Sequence, residues 1–361
     1  MKEIQDPEGA SLGVIVFTTA NARFAAADVL DSAWFRGELQ ALWSGRCAGQ
    51  SSAANDDEIP PADEELQAIA EEIRYRHELI TAEETDAWLD ARRLTLDDLT
   101  DHCHRQWRWE NAPPPVVVAG FDYSGAAVEL RELFLHELIF DGTFDTLARQ
   151  LTWRVAIPAE AGDHVPATME TQRAQFHGRM GLTKEAVEET LRRLGRDAAW
   201  LDATLAREAG YARHLALVLT IENRHRNLAA LRLPLTRFEV ELLELESEDA
   251  AREACLCLEV DGLSMDDLAE QEHYRMDHRE FLLEELPPEE QLQFLRGEKG
   301  QVRQVTTTDG RFQVFRIVDK CEPTLADKRV ISRVDREILA AHFENLVSKN
   351  VAWLLQPASS S

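Results

Sequence analysis

From Phe238 to Leu355 the chain runs through element signals in an order that few folds accept. Phe238-Glu239-Val240-Glu241-Leu242-Leu243-Glu244-Leu245 alternates apolar and acidic residues around a Leu pair, the pattern of a partly buried strand. Ser247 then caps a helix expected to run to about Val260, where Gly262 stops it. Ser264-Met265-Asp266-Asp267 opens another helix, with an acid three residues after the cap. Leu286-Pro287-Pro288-Glu289 starts a short helix ending near Gly297 or Gly300. Thr306 to Gly310 reads as a turn into a second strand, Gly310 to Val318. One long amphipathic helix closes the sequence.

That order, carried by "SEDAAREACLCLEVDGLSMDDLAEQ", "ELPPEEQLQFLRGEKGQV" and "DGRFQVFRIVDKCEP", resembles a parvulin-type (PpiC-type) peptidyl-prolyl isomerase domain. The long helix after it, Leu325 to Leu355, and the helices upstream extend the likeness to SurA-type foldases. In those proteins a helical chaperone module is built from both sides of the isomerase domain. The resemblance implies a prolyl pocket flanked by one histidine on the first strand and a second on the last. Here Arg237-Phe238-Glu239-Val240 carries none, and Phe312-Gln313 stands where the family has an aromatic-His pair. The acidic or thiol residue between them is not identifiable, the run Arg275-Met276-Asp277-His278 being only a loose candidate. Prolyl rotation needs no covalent chemistry, only a site that favours the twisted imide over a barrier of ~18–20 kcal/mol. The departures favour a parvulin fold retained for binding, with an isomerase of atypical pocket as the alternative.

Upstream, the periodicity is helical. Leu66, Ile69, Ile73, His77 and Ile80 recur at three- and four-residue spacing. Thr81-Ala82-Glu83-Glu84 is a capping-box sequence, and Thr95-Leu96-Asp97-Asp98 opens a further helix. The stretch "ELITAEETDAWLDARRLTLDDLTDHCHRQ" resembles the amino-terminal helical module of SurA-type proteins. Ala112 to Pro115 breaks the run, and Val116–Val118 reads as extended. Helices are expected at Ala126–Ile139, Phe144–Arg154 and Ala209 to Leu231, with a helix–turn–helix from Leu182 to about Arg207 and a loop from Ala156 to Val165. Before all of these, Val14–Phe17 is strand-like and Ala22 to Trp43 reads as one helix. Residues 44–61, rich in Gly, Ser, Asn and Asp, form a linker. The terminal stripe of Ile331, Val334, Ile338, Ala341, Leu346, Val347, Val351 and Leu354 implies a helix of ~45 Å at 1.5 Å per residue. That exceeds what a parvulin-sized unit can cover, so it is expected to return to the 63–231 helices, a paired second chain being the alternative.

Composition narrows the partners. Lys+Arg 39 against Asp+Glu 66 gives a net charge of −27, which repels nucleic-acid phosphates and anionic membranes. Five sparse cysteines imply no disulfide framework, and the apolar run Leu12 to Phe17 is too short for a signal peptide or a span. A cytoplasmic location is therefore expected. No Gly-x-Gly-x-x-Gly, phosphate-loop or Gly-x-Ser-x-Gly pattern occurs. His102 and His104 lie about 200° apart on a helix and cannot share an ion. The His102-Cys103-His104 run is read as a solvated face. His214 and His342 are single histidines on helices and carry no signal.

The expected architecture is thus mainly α with an inserted α/β (α+β) parvulin-like domain. It comprises residues 1–58 as an N-terminal segment, 63–235 as a SurA-like helical module, 236–322 as the parvulin-like domain, 323–355 as a helix returning to that module, and 356–361 as a disordered tail. The expected function is a cytoplasmic peptide-binding chaperone holding an extended or unfolded polypeptide. Parvulin-like proteins also occur beside ribosomally made, modified peptides, so the resemblance includes a precursor-peptide version of this role. An active isomerase and a non-catalytic partner of a peptide-modifying enzyme are the other readings. Phe238, Leu286, Phe294 and Gln313 are the expected peptide-binding pocket, and Trp109 the expected peptide contact in the helical module. Neither a cofactor nor a metal is expected, and the chain is expected to be a monomer or homodimer.

Overall fold

A computed structural model of the chain describes residues 11–46, 60–111, 122–157, 165–306 and 312–357. In order these form β1 (Ile15–Thr19), β2 (Arg23–Ala25), α1 (Ala26–Phe35), α2 (Glu38–Arg46), α3 (Asp63–Arg76), α4 (Ala82–Ala91), α5 (Leu96–Asn111), α6 (Val128–Phe140) and α7 (Thr143–Val155). Then come α8 (Val165–Met180), α9 (Lys184–Arg193), α10 (Ala198–Val218), α11 (Ile221–Ala230), β3 (Arg237–Leu245), α12 (Glu248–Glu259), α13 (Met265–Glu272) and β4 (Arg275–Leu282). The chain finishes with α14 (Pro288–Leu295), β5 (Val302–Thr306), β6 (Phe312–Cys321), α15 (Lys328–Asn350) and β7 (Val351–Trp353). The architecture is mainly α with a four-stranded antiparallel sheet in an α+β unit, the class the sequence pointed to. Two units divide the chain: Met1–Leu215 with His342–Ser361, and Ala216–Ala341.

In the first unit a three-stranded antiparallel sheet, ordered β2-β1-β7, is embedded among helices. Phe17 lies at its centre, stacked on Phe24 at 4.8 Å and edge-on to Trp353 at 5.4 Å. One apolar cluster runs from Val16 through α1, α6 and α7 to Leu205 of α10. The amino-terminal segment is therefore core of this unit, because Val29, Leu30, Ala33 and Phe35 are all buried in it.

The expected helix from Ala22 to Trp43 is three elements. Arg23–Ala25 is recruited as a strand by β1, and Gly37, at φ +78°, ends the turn after α1. The loop expected over 156–165 gives way at Val165 to α8, a helix whose many polar residues hide a buried ring, Phe176. That ring is fully buried and stacks on Phe35 at 4.6 Å. The terminal helix also stops early. Val351, expected on its stripe, begins β7, which pairs with β1 through Phe17↔Trp353. Tertiary pairing overrides helical periodicity there, since β-branched and aromatic residues suit a strand equally well. The residues 112–118, most of the 44–61 linker and the tail from 358 lie outside the described residues.

The capping box read at Thr81 forms. Thr81 Oγ1 accepts from the Glu84 amide at 3.1 Å, while Glu84 Oε2 accepts from the amides of Thr81 and Ile80. Thr81→Ala is expected to lower stability by about 1 kcal/mol, read as a shift in the urea midpoint at unchanged slope. A loss below a quarter of that would show that the cap is redundant.

In the second unit, β3 is the inner strand of a four-stranded antiparallel sheet ordered β4-β3-β6-β5. β4 pairs residue for residue with β3, from Arg237↔Leu282 to Glu244↔Arg275. Its sequence, RMDHREFL, is too charged to signal a strand, and an edge position tolerates that charge. α11 is separate from α10, because Thr220 accepts a hydrogen bond from the Asn223 amide and starts a new helix. A small core of Leu235, Leu282, Val330, Val334 and Ile338 joins this unit's part of α15 to the strands. Arg224 bonds Asp335 through two nitrogens, at 2.7 and 2.8 Å.

Candidate functional site

Side chains alternate across β3, so its two faces carry different layers. Leu243 and Leu245 pack with Val314 under α12 and α13. Phe238, Val240 and Leu242 pack with Phe315 and Ile317 on the opposite face, under α14. The expected pocket belongs to this second face, but it is not one pocket. Phe238 is fully buried, with Phe281 stacked at 6.0 Å and Phe294 edge-on at 5.6 Å. Phe294 in turn stacks on Phe315 at 4.4 Å. Phe238, Phe294 and Phe315 are core, unreachable by a peptide in this arrangement, with Phe281 half-buried beside them. Leu286 is half-buried against the same cluster. Gly297, just after α14, has no room for a Cβ, which would lie 2.3 Å from Ile317 Cδ1. Close approach of this segment to the strand requires glycine there.

Gln313 lies at the other end. Phe238 is opposite Lys320 and Gln313 opposite Glu244, six residues further along β3, or roughly 20 Å at the strand rise. Periodicity places Phe238 and Gln313 on one face; it does not show that register sets them at opposite ends. What register does bring near Gln313 is a polar strip. The row Arg275–Glu244–Gln313 lies beside the row Asp277–Leu242–Phe315, and Arg279–Val240–Ile317 follows. Asp277, the loose match for an acid, thus shares the face of Gln313. Arg279 Nε donates to Asp277 Oδ2 at 2.9 Å, and this hydrogen bond holds the carboxyl below its ordinary range. Arg275 Nη1 is 3.7 Å from Glu244 Oε2. His278 is exposed, and it pairs with Glu241 on the face of α12 and α13. No histidine occurs on β3 or β6. This strip can offer hydrogen bonds and charge to a peptide, and Asp277, ionised and bound to Arg279, accepts but does not donate.

The first unit has a separate candidate surface. Trp109 is 41% exposed near the end of α5. Ile80, expected on the apolar stripe of α3, is 82% exposed, as is Tyr75. α3 ends at Arg76, and Glu78 turns at φ +57°, so the helical phase is lost before Ile80. Tyr75, Leu79 and Ile80 line a concavity of about 340 Å³ with Glu71, Arg74 and Glu78. The sequence carries a signal for it, two acids beside an apolar triplet, which a strict helical reading overlooks. The His102-Cys103-His104 run also differs from its expectation as a solvated face. His102 and Cys103 are buried, and His102 Nδ1 meets Glu137 Oε2 at 2.8 Å. Burial pushes the Cys103 thiol up to about 11, which leaves it unreactive at neutral pH.

Among solved structures the chain is similar to peptidyl-prolyl isomerase PrsA of Bacillus cereus. Identity is 14% over 59% of this chain and 85% of that one, with a TM-score of 0.35. PrsA of Bacillus anthracis is similar at 13% identity over 57% of this chain and 96% of that one, with a TM-score of 0.29. A structure from a pair of structurally related SurA-like chaperones of Campylobacter jejuni gives 8% identity over 67% of this chain and 96% of that one, with a TM-score of 0.19. No protein-family model and no curated protein matches the chain.

Proposed function

We propose that this chain is a parvulin- and SurA-like chaperone that holds an extended or unfolded polypeptide and uses its parvulin-like sheet for binding. The observation that carries this reading is the α14 face of the sheet. Its prolyl-pocket end is packed solid with Phe238, Phe281, Phe294 and Phe315, and no histidine stands on either central strand. The remaining groups on that face, Gln313, Glu244, Asp277 and Arg275, suit backbone amides and basic side chains of a peptide. The net charge of −27 adds long-range attraction for basic segments. A ribosomally made precursor peptide is one client this reading includes. A cytoplasmic setting is part of the proposal, supported by free thiols at Cys103, Cys255, Cys257 and Cys321.

The test is a panel of short X-Pro peptides assayed for proline isomerisation, beside fluorescence binding of extended basic peptides. Binding without rate enhancement is expected. Gln313→Ala is expected to weaken that binding by about 1 kcal/mol, roughly fivefold, from the lost hydrogen bond. A rate enhancement abolished by Gln313→Ala would instead make the chain an isomerase with an atypical pocket. Absence of both activities would rule out the peptide-binding reading.

A further inference from the structure

We propose that His214 and His342 form a two-histidine site for a divalent transition-metal ion of borderline softness, such as Zn²⁺ or Cu²⁺. Their Nε2 atoms lie 2.7 Å apart although 128 residues separate them, and their ring centroids are 4.9 Å apart at 44°. Two imidazole nitrogens at that distance share one hydrogen, so one ring donates and the other keeps its lone pair toward the first. If the donor ring takes its other tautomer, its proton moves to Nδ1 and both Nε2 lone pairs converge. Nothing else in the protonation of the pair changes. Nitrogens bound at about 2.0–2.1 Å to one ion stand roughly 2.9–3.3 Å apart for angles between 90° and tetrahedral. To share an ion the nitrogens must separate by a few tenths of an ångström and both rings must pivot, since each now points almost along the line to the other.

The supporting shell is already rigid. Phe343, next to His342, is fully buried, stacks on Trp153 at 5.0 Å and lies 5.5 Å from Tyr211. Tyr211 precedes His214 by three residues and so lies on the same side of α10. It is covered by Arg154 at 4.2 Å, whose charge is matched by Glu208. Both ring-bearing backbones are therefore held in place, which limits the entropy lost on binding an ion. Both histidines are half-buried, so water can reach the remaining coordination positions. Among the described residues no group of three or more His, Cys, Asp or Glu gathers as a full metal cage. The site is thus a two-ligand one completed by solvent. α10 carries the chain out of the first unit and α15 returns it, so an ion here would tie together the two helices at which the chain leaves and re-enters that unit.

The experiment uses the full chain after chelator treatment, titrated with Cu²⁺ alone and read by electron paramagnetic resonance and calorimetry. One ion per chain with two nitrogen ligands is expected. Binding should weaken at least about tenfold in His214→Gln and in His342→Gln. Zn²⁺ should compete for the same site. A spectrum without two nitrogens, which needs no variant to measure, would overturn the proposal. So would binding that survives either substitution in a protein whose circular dichroism is unchanged, or no binding at all.

Discussion

Phe343→Ala is expected to cost about 3–5 kcal/mol, the range for deleting a fully buried phenyl ring and leaving its cavity. Phe343 is wholly inaccessible, lies nearly parallel to Trp153 at 9°, and also meets Tyr211, His214 and His342. The ring pins the last turns of α15 against α7 and α10 of the same unit. Those turns lead directly into β7, whose Trp353 packs on Phe17. Removing the ring should loosen both contacts together. Urea unfolding followed by tryptophan fluorescence measures the loss. Glu344→Ala, one residue on and exposed, is the control and should stay within about 0.5 kcal/mol. If the two variants proved equally stable, α15 would not be fastened to this unit through that ring.

The contrast between α15 and β4 shows how much of this molecule was legible in the sequence. Val334 and Ile338 announce a helix because their spacing matches its period, and both are buried. The caps at Thr81, Ser247 and Ser264 are equally readable, since a capping oxygen and its amide are local to a few residues. β4 and β7 are not readable in this way. One is a charged edge strand and the other a three-residue piece, and each is defined by its partner strand. The site follows the same rule. That β3 and β6 lack histidine is visible in the letters, whereas the placing of Asp277 beside Leu242 and of Gln313 six residues from Phe238 depends on register. The His214–His342 contact joins positions 128 residues apart, and no pattern within either helix signals it. Sequence periodicity specifies which face a residue occupies; it does not specify which residue of another element comes opposite.

Glu137→Gln is the second substitution with a large expected effect, and its effect should depend on pH. Glu137 is buried on α6 and accepts from His102 at 2.8 Å and from Arg105 Nε at 2.7 Å. Burial alone would raise its carboxyl, but the His102 hydrogen bond and charge, with Arg105, outweigh it and hold the group below its ordinary value of 4.5. Removing one partner from a buried charged pair costs about 3–5 kcal/mol, because the other is left without compensation. Arg105 keeps partial access to water, which places the loss near the lower end. A carboxylate with a depressed folded pKa adds stability that is present above 4.5 and is lost as pH falls through the folded value. The gap between the natural protein and Glu137→Gln should therefore shrink as pH falls below about 4.5. His77, held low mainly by burial, loses stability as pH falls in both proteins and cancels in the difference, whereas the Glu137 charge raises His136, so His136 adds to the gap on mild acidification. Urea midpoints measured from pH 7 to pH 3 give the gap directly. A gap that stays constant or grows as pH falls from about 4.5 to 3 would mean that the His102–Glu137–Arg105 contact contributes through packing and not through charge.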